Sequence, residues 1–231
     1  MKGTMMIKDY FLTIVALGLL PLVLVAASCG NTTITGSGNV VTEFRPISGF
    51  TGFSFSGEGE LNITQGSTES LSITTDDNLM EYIETSVRGG ILTIEFRDGV
   101  QLDPSNGITY DIAVIELNSI TFSGAGSITA ASLDVAADTF SFSVSGAVEC
   151  SIAGQVDSQN IAVSGTLTCD APDFQCSDAT VDISGVGNIT LWATSTLDVT
   201  ISGVGDVYYW GSPTTTTNIS GVGNVQNLGP K

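Results

Sequence analysis

An all-β protein, wound as a parallel β-solenoid, is what this 231-residue sequence predicts. Three observations carry the prediction. A Ser-Gly corner recurs at Ser123, Ser145, Ser164, Ser184, Ser202 and Ser220, spaced by 22, 19, 20, 18 and 18 residues. The residues between corners alternate apolar and polar with period 2, which marks strands with one buried face. Glycine is abundant, at 27 residues, as a chain with many tight corners requires.

Taken from the N-terminus, residues 1–28 read as an export signal. Lys2 and Lys8 supply a basic start, tempered by Asp9, and Tyr10 to Ala27 is apolar apart from Gly18 and Pro21. The small residues Ala26-Ala27-Ser28 then form a cleavage-type site. A permanent membrane span is the alternative, at the lower limit of length. Val25-Ala26-Ala27-Ser28-Cys29 resembles the lipobox of bacterial lipoproteins, with Ala26 where that motif prefers Leu. The resemblance implies that Cys29 becomes an acylated N-terminus and a lipid attachment to the membrane. Residues 29–43, small and polar at their start, are expected to be a flexible tether.

Residues 44–118 form a less regular β half. Phe50, Phe53 and Phe55 lead into the strand-like runs Leu61–Gly66, Leu71–Asn78, Ile91–Phe96 and Ile108–Val114, with a helical turn or two expected over Asn78–Glu84 and a turn at Asp103–Gly107. Looser copies of the corner stand at Gly36–Val40 and Ser56–Leu61. Residues 119–228 form the regular half, about 18–22 residues per coil. One coil cannot bury its own apolar face, whereas stacked coils can, each adding a strand about 4.8 Å from the last. The spacing places Ile128, Cys150, Cys169, Ile189, Val207 and Val225 on one interior ladder. Phe122, Val144, Val163, Ile183, Ile201 and Ile219 fall on another. The corner glycines are expected to take positive φ. Residues 229–231 are a short tail.

The ladder also places the cysteines. Cys150 and Cys169 hold one interior position on adjacent coils, within disulfide reach. A reduced pair filling a small apolar slot is the alternative, and Cys169–Cys176 is a second pairing. With Cys176, three cysteines follow Cys29, so one thiol is left over.

An ordered set of short motifs runs through the chain: Ile47-Ser-Gly-Phe-Thr-Gly52, Gly59-Glu-Leu-Asn-Ile-Thr-Gln-Gly66, Asp76-Asp-Asn-Leu79 and Tyr82–Ile94, then the Ser-Gly-Val-Gly repeats and Asp206-Val-Tyr-Tyr-Trp-Gly-Ser-Pro213. In this order they resemble the putative auto-transporter adhesin head GIN domain family of bacterial envelope proteins, over residues 44–228. The resemblance implies an all-β, solenoid-like domain and an adhesive role. It carries over no functional residues.

Composition excludes more than it assigns. The net charge is −18, with 24 acidic and 6 basic residues, so the basic surface that nucleic acid requires is missing. There is no histidine, which removes Ser-His and Cys-His nucleophiles and His-based zinc sites. No pair of carboxylates is placed in an apolar pocket, so an enzyme is not expected and a carbohydrate-active solenoid stays a remote alternative. No cofactor is called for. Calcium is weighed at Gly203–Val207 and at Asp76-Asp77-Asn78, but neither run has the ligand spacing of a calcium loop.

Trp192, Tyr208 and Trp210 remain. The two tryptophans share one coil position, so they form either a platform for sugar rings or an aromatic ladder that closes one edge of the core. The expectation is therefore a non-enzymatic, lipid-anchored envelope protein that presents a solenoid surface to a glycan or protein, facing the periplasm or cell exterior. A purely structural, self-assembling envelope protein is the alternative. Intact-mass analysis of the chain purified from its native membrane should show a diacyl-type mass addition at an N-terminal Cys29, and a free, unacylated terminus refutes the anchor.

Overall fold

The computed structural model describes residues 31–135 and 138–231. The export signal and Cys29 lie outside the described residues. Asn31–Lys231 forms one compact unit.

The first half contains β1 (Thr32–Thr35), β2 (Val40–Arg45), β3 (Gly52–Phe55), β4 (Glu58–Gln65), β5 (Ser70–Asp76), β6 (Ile83–Arg88), β7 (Ile91–Phe96), β8 (Val100–Asp103) and β9 (Thr109–Val114), with a 3-10 turn at Met80–Tyr82. The second half contains β10 (Ser119–Phe122), β11 (Ala125–Asp134), β12 (Thr139–Val144), β13 (Ala147–Val163), β14 (Thr166–Ile183), β15 (Val186–Ile201), β16 (Val204–Trp210), β17 (Thr214–Ile219) and β18 (Val222–Gly229). The long strands β13, β14 and β15 each bend within one coil, from one face of the solenoid to the other. Shifts in register, as between Ser151 and Gly154, mark the bend.

Two parallel stacks result, one on each side of the Ser-Gly corner. Before the corner the order is β7, β3, β10, β12, the second halves of β13, β14 and β15, then β17. After the corner it is β9, β4, β11, the first halves of β13, β14 and β15, then β16 and β18. Both interior ladders pair as the spacing requires: Ile128 lies beside Cys150, Cys169 beside Ile189, and Phe122 beside Val144, through to Val225 and Ile219. Period-2 alternation sends these side chains inward, where nearly all are buried until the last coil. Phe55 and Phe122, neighbours across two layers, stack with ring centroids 5.0 Å apart.

Layer order is where the structure departs from chain order. The layer of β3 and β4 does not begin the stack; the later β7 and β9 lie beneath it, and β10 and β11 lie above. Alternation fixes which face a strand buries but not which strand it meets, so spacing alone cannot show this insertion. Antiparallel strands close that end: β6 pairs with β7, β5 with β9, and β2 with β5.

The corner glycines are also explained differently from expectation. Gly124, Gly146, Gly165, Gly185, Gly203 and Gly221 do not take positive φ. Each is glycine because the layers meet there: a Cβ on Gly203 falls 2.1 Å from the Gly185 carbonyl oxygen, and one on Gly185 falls 2.1 Å from that of Gly165. The same carbonyls accept bonds from the next layer, Val204 N–H to Gly185 O at 2.9 Å and Val186 N–H to Gly165 O at 2.8 Å. The preceding serine adds a second tie, as when Ser184 Oγ donates to Val163 O at 3.2 Å. A net bond of this kind contributes about 1 kcal/mol.

The tether expected over residues 29–43 is, from Thr32 onward, strand: β1 runs parallel to β8 and β2 antiparallel to β5. Gly36–Val40 is not a solenoid corner. It is the loop between those strands, seated on Asp76, Asp77 and Asn78. Asp76, fully buried, accepts from Ser105 Oγ at 2.7 Å, Ser105 N–H at 2.8 Å and Gly38 N–H at 2.6 Å. Asp77 accepts from Ser37 Oγ and Asn39 Nδ2, and Asn78 accepts from Ser37 N–H and donates to Thr35 O. The short acidic run weighed for calcium is thus a latch on the start of the domain.

Two outcomes follow from these contacts. Gly203→Ala should lower stability by about 3 kcal/mol or more, because its methyl strikes backbone, whereas Gly66→Ala, with open space around it, should stay within about 0.5 kcal/mol; urea unfolding midpoints compare them. The hydroxyl of Ser105 holds Asp76 below the ordinary value of 3.8, and the hydroxyl of Ser37 does the same for Asp77. Groups with depressed folded-state pKa stabilise fully above their unfolded value and lose that contribution as pH falls through the folded one. Amide exchange in residues 32–40 should therefore accelerate selectively, beyond the intrinsic pH effect, as pH drops below 3.8, and unchanged protection there refutes the latch.

Candidate functional site

In β15 the residues Ile189, Leu191 and Ala193 point inward, so Asn188, Thr190 and Trp192 point outward. In β16 the inward Val207 sets Asp206, Tyr208 and Trp210 outward, while Tyr209 turns toward the core. Trp192 and Trp210 are register partners on adjacent layers. Tyr208 lies on the same flank, two residues before Trp210 and beside Thr190. The structure therefore brings together the three aromatic residues singled out from the sequence. All three are half-buried on the outer face rather than packed in the interior.

The tryptophans end a longer outward column. Asp134 pairs in register with Gln155, Gln155 with Gln175, Gln175 with Trp192, and Trp192 with Trp210. Four layer steps of about 4.8 Å make this column roughly 19 Å long. A groove of about 360 Å³ lies along its first part, lined by Asp134, Gln155, Asp157, Gln175 and Ser177. Gln65 extends the column by gripping both backbone groups of Asp134, accepting from its N–H at 2.6 Å and donating to its carbonyl at 2.9 Å. Gln155 in turn donates to Asp134 Oδ1 at 3.0 Å. Sequence reading missed Asp134, Gln155 and Gln175 because the coils bearing them differ in length, which hides their common position until the bends are placed.

Lys231 crosses the aromatic end. Its Nζ sits 5.0 Å from the centre of the Trp192 ring and 6.0 Å from that of Trp210, and it donates to Pro172 O and Asp173 Oδ1. The cation occupies the ring faces that a ligand would use, with Asp173 and Asp206 supplying carboxylate acceptors on the same side. Chemically the column is a set of amides and carboxylates followed by two flat apolar faces.

The cysteines lie beneath this surface. The structure joins Cys150 to Cys169, with Cα atoms 4.5 Å apart, and leaves Cys176 as the free thiol among the described residues. Cys176 Sγ accepts from Gln159 Nε2 and donates to the Trp192 carbonyl, each at 3.3 Å. Burial pushes its pKa up to about 12, the Gln159 bond opposing and Asp178 adding to the rise. A thiol so placed is a fastener for the strand carrying Trp192, not a nucleophile. Among the described residues no group of three or more acidic or cysteine side chains is arranged to hold a metal ion.

A family model described as putative auto-transporter adhesin, head GIN domain, matches residues 49–213. Solved structures similar to this chain include a putative adhesin from Bacteroides fragilis, 22% identical, with a TM-score of 0.69 over 84% of this chain and 100% of the other. A putative lipid binding protein from Parabacteroides distasonis is 24% identical, with a TM-score of 0.54 over 85% of this chain and 100% of its own. A putative adhesin from the same organism is 17% identical, with a TM-score of 0.51 and coverage of 85% and 100%. At these identities the likeness establishes the fold. Comparison with curated proteins found no match.

Proposed function

This chain belongs to the putative auto-transporter adhesin head GIN domain family, and on that premise we propose that it is a non-enzymatic cell-envelope adhesion module that recognises glycan chains along the column from Asp134 to Trp210. The observation that carries the reading is the outward pairing of Trp192 with Trp210, in register and continuous with Gln155 and Gln175. Aromatic faces suit the apolar faces of sugar rings, and amide and carboxylate groups suit their hydroxyls. A linear arrangement along the solenoid axis matches an extended polymer better than a compact ligand.

In this proposal the acylated Cys29 holds the unit at a bacterial membrane, and the docked β1 and β2 carry the chain from the anchor into the first layers. The acidic coat keeps the exported domain soluble, and along the column its carboxylates stand among the amides and indole faces as acceptors for sugar hydroxyls. Lys231 shields the indole faces until a ligand replaces its contacts, so its ammonium is exchanged for sugar C–H groups without exposing the rings.

A glycan array and an envelope-extract pull-down with the unit Asn31–Lys231 test the reading. Trp192→Ala combined with Trp210→Ala should weaken binding by at least about tenfold, or about 1.4 kcal/mol, with the folded state verified by circular dichroism. Gln155→Ala with Gln175→Ala should reduce it by a smaller factor. Binding unaltered in the tryptophan double variant sinks the aromatic platform, and capture of protein alone, sensitive to the same substitutions, turns the column into a protein-binding flank.

A further inference from the structure

The two ends of the solenoid differ. At the end formed by the first half, antiparallel β6, β5 and β2 cover the parallel layers, and β2 and β6 carry Glu43, Arg45, Glu84 and Arg88. At the other end, among the described residues, β17 pairs only with β15, and β18 only with β16. One edge of each strand is therefore unpaired, on both sides of the last Ser-Gly corner.

Natural edge strands are protected by charges, prolines, bulges or a covering element. Within β17, and within β18 as far as Gln226, none of these is present. From Val207 to Pro230 the chain has no charged residue at all, within a protein of net charge −18. Thr215 and Thr217 lie over Leu197 and Val199 in the preceding layer, which softens the apolar end. Even so, Ile219 is 42% and Val222 69% exposed, and Leu228 is exposed as well. The end is thus neutral, in part apolar, and rich in unpaired backbone donors and acceptors.

We propose that this end layer is a self-association surface that takes a second copy of the same chain across a two-fold axis. Charge selects the partner. Two molecules this acidic repel one another over most of their surfaces, and the last layer is where they meet without like charges facing. Geometry selects the symmetry. An axis through the Ser220-Gly221 corner maps the β17 line onto the β18 line with reversed direction. It therefore sets β17 of one copy antiparallel to β18 of the other, and β18 to β17, so both edges are closed at once. The opposite end also exposes single-paired strands, β2 beside β5 and β6 beside β7, but these carry Glu43, Arg45, Glu84 and Arg88, charges that protect an edge from such pairing, so association stops at a pair and does not extend into a fibre.

The test is the mass of the unit Asn31–Lys231 by sedimentation equilibrium and light scattering. The expected result is twice the chain mass, falling to the single-chain mass in the variant Thr217→Glu with Val222→Glu. Both positions are exposed, and circular dichroism checks that the variant remains folded. As a second reading on the unmodified protein, amide exchange in β17 and β18 should slow as concentration rises. A single-chain mass at concentrations up to about 100 μM, a pair that survives both glutamates in the folded variant, or concentration-independent exchange at this end overturns the proposal.

Discussion

The close approach of backbone to backbone at the Ser-Gly corner is the constraint from which the rest of the solenoid follows. Each corner carbonyl receives an N–H from the layer above at the place where a side chain would otherwise stand. That leaves no alternative to glycine, and it locks the layers into one register. Once the corners are superimposed, the residues on both sides must fall into ladders. The period-2 alternation then decides which ladders are interior and which are available to the outside world. The outward column ending in Trp192 and Trp210 is a product of that same locking: its members share no motif and are brought into line only because the corners are.

Interior volume is balanced along the ladders as well as across them. At the position that is Gly126, Gly187, Gly205 and Gly223 in most layers, two adjacent layers carry Val148 and Leu167. Two residues later, where the others carry Ile128, Ile189, Val207 and Val225, these layers carry Cys150 and Cys169. A large residue beside a small one replaces a glycine beside a large one, which keeps the section of the core filled to native density. The exchange brings two small sulfur-bearing side chains face to face, and the structure links them. The cysteines are therefore understood first as packing residues whose layer position makes the cross-link available.

Much of this was legible before any coordinates. The repeat set the coil, the alternation set both interior ladders, and the matching offsets of Trp192 and Trp210 set them side by side. Besides the layer order, three further features were not legible, each for a physical reason. The corner glycines were expected to need positive φ, because a sequence shows a glycine but not whether torsion or crowding demands it. Asp134, Gln155 and Gln175 escaped notice because bulged bends change the residue count between corner and bend from coil to coil. The latch of Asp76, Asp77 and Asn78 was invisible because its partners, Gly36–Asn39 and Ser105, are distant in the chain and bind it through backbone N–H groups and through Ser and Asn side chains that abound in this sequence.

The insertion of the β3–β4 layer between two later ones bears on how the molecule is made. A chain made from its N-terminus delivers β3 and β4 well before β7, β9, β10 and β11, the strands that cover them on both sides. In a solenoid built in simple succession, each arriving coil finds a finished template. Here the earliest coil is not covered on both faces until about residue 130 has emerged, and the contacts that complete it close long loops. The early layer thus depends on contacts distant in the chain, whereas each coil from β12 onward stacks on the one before it.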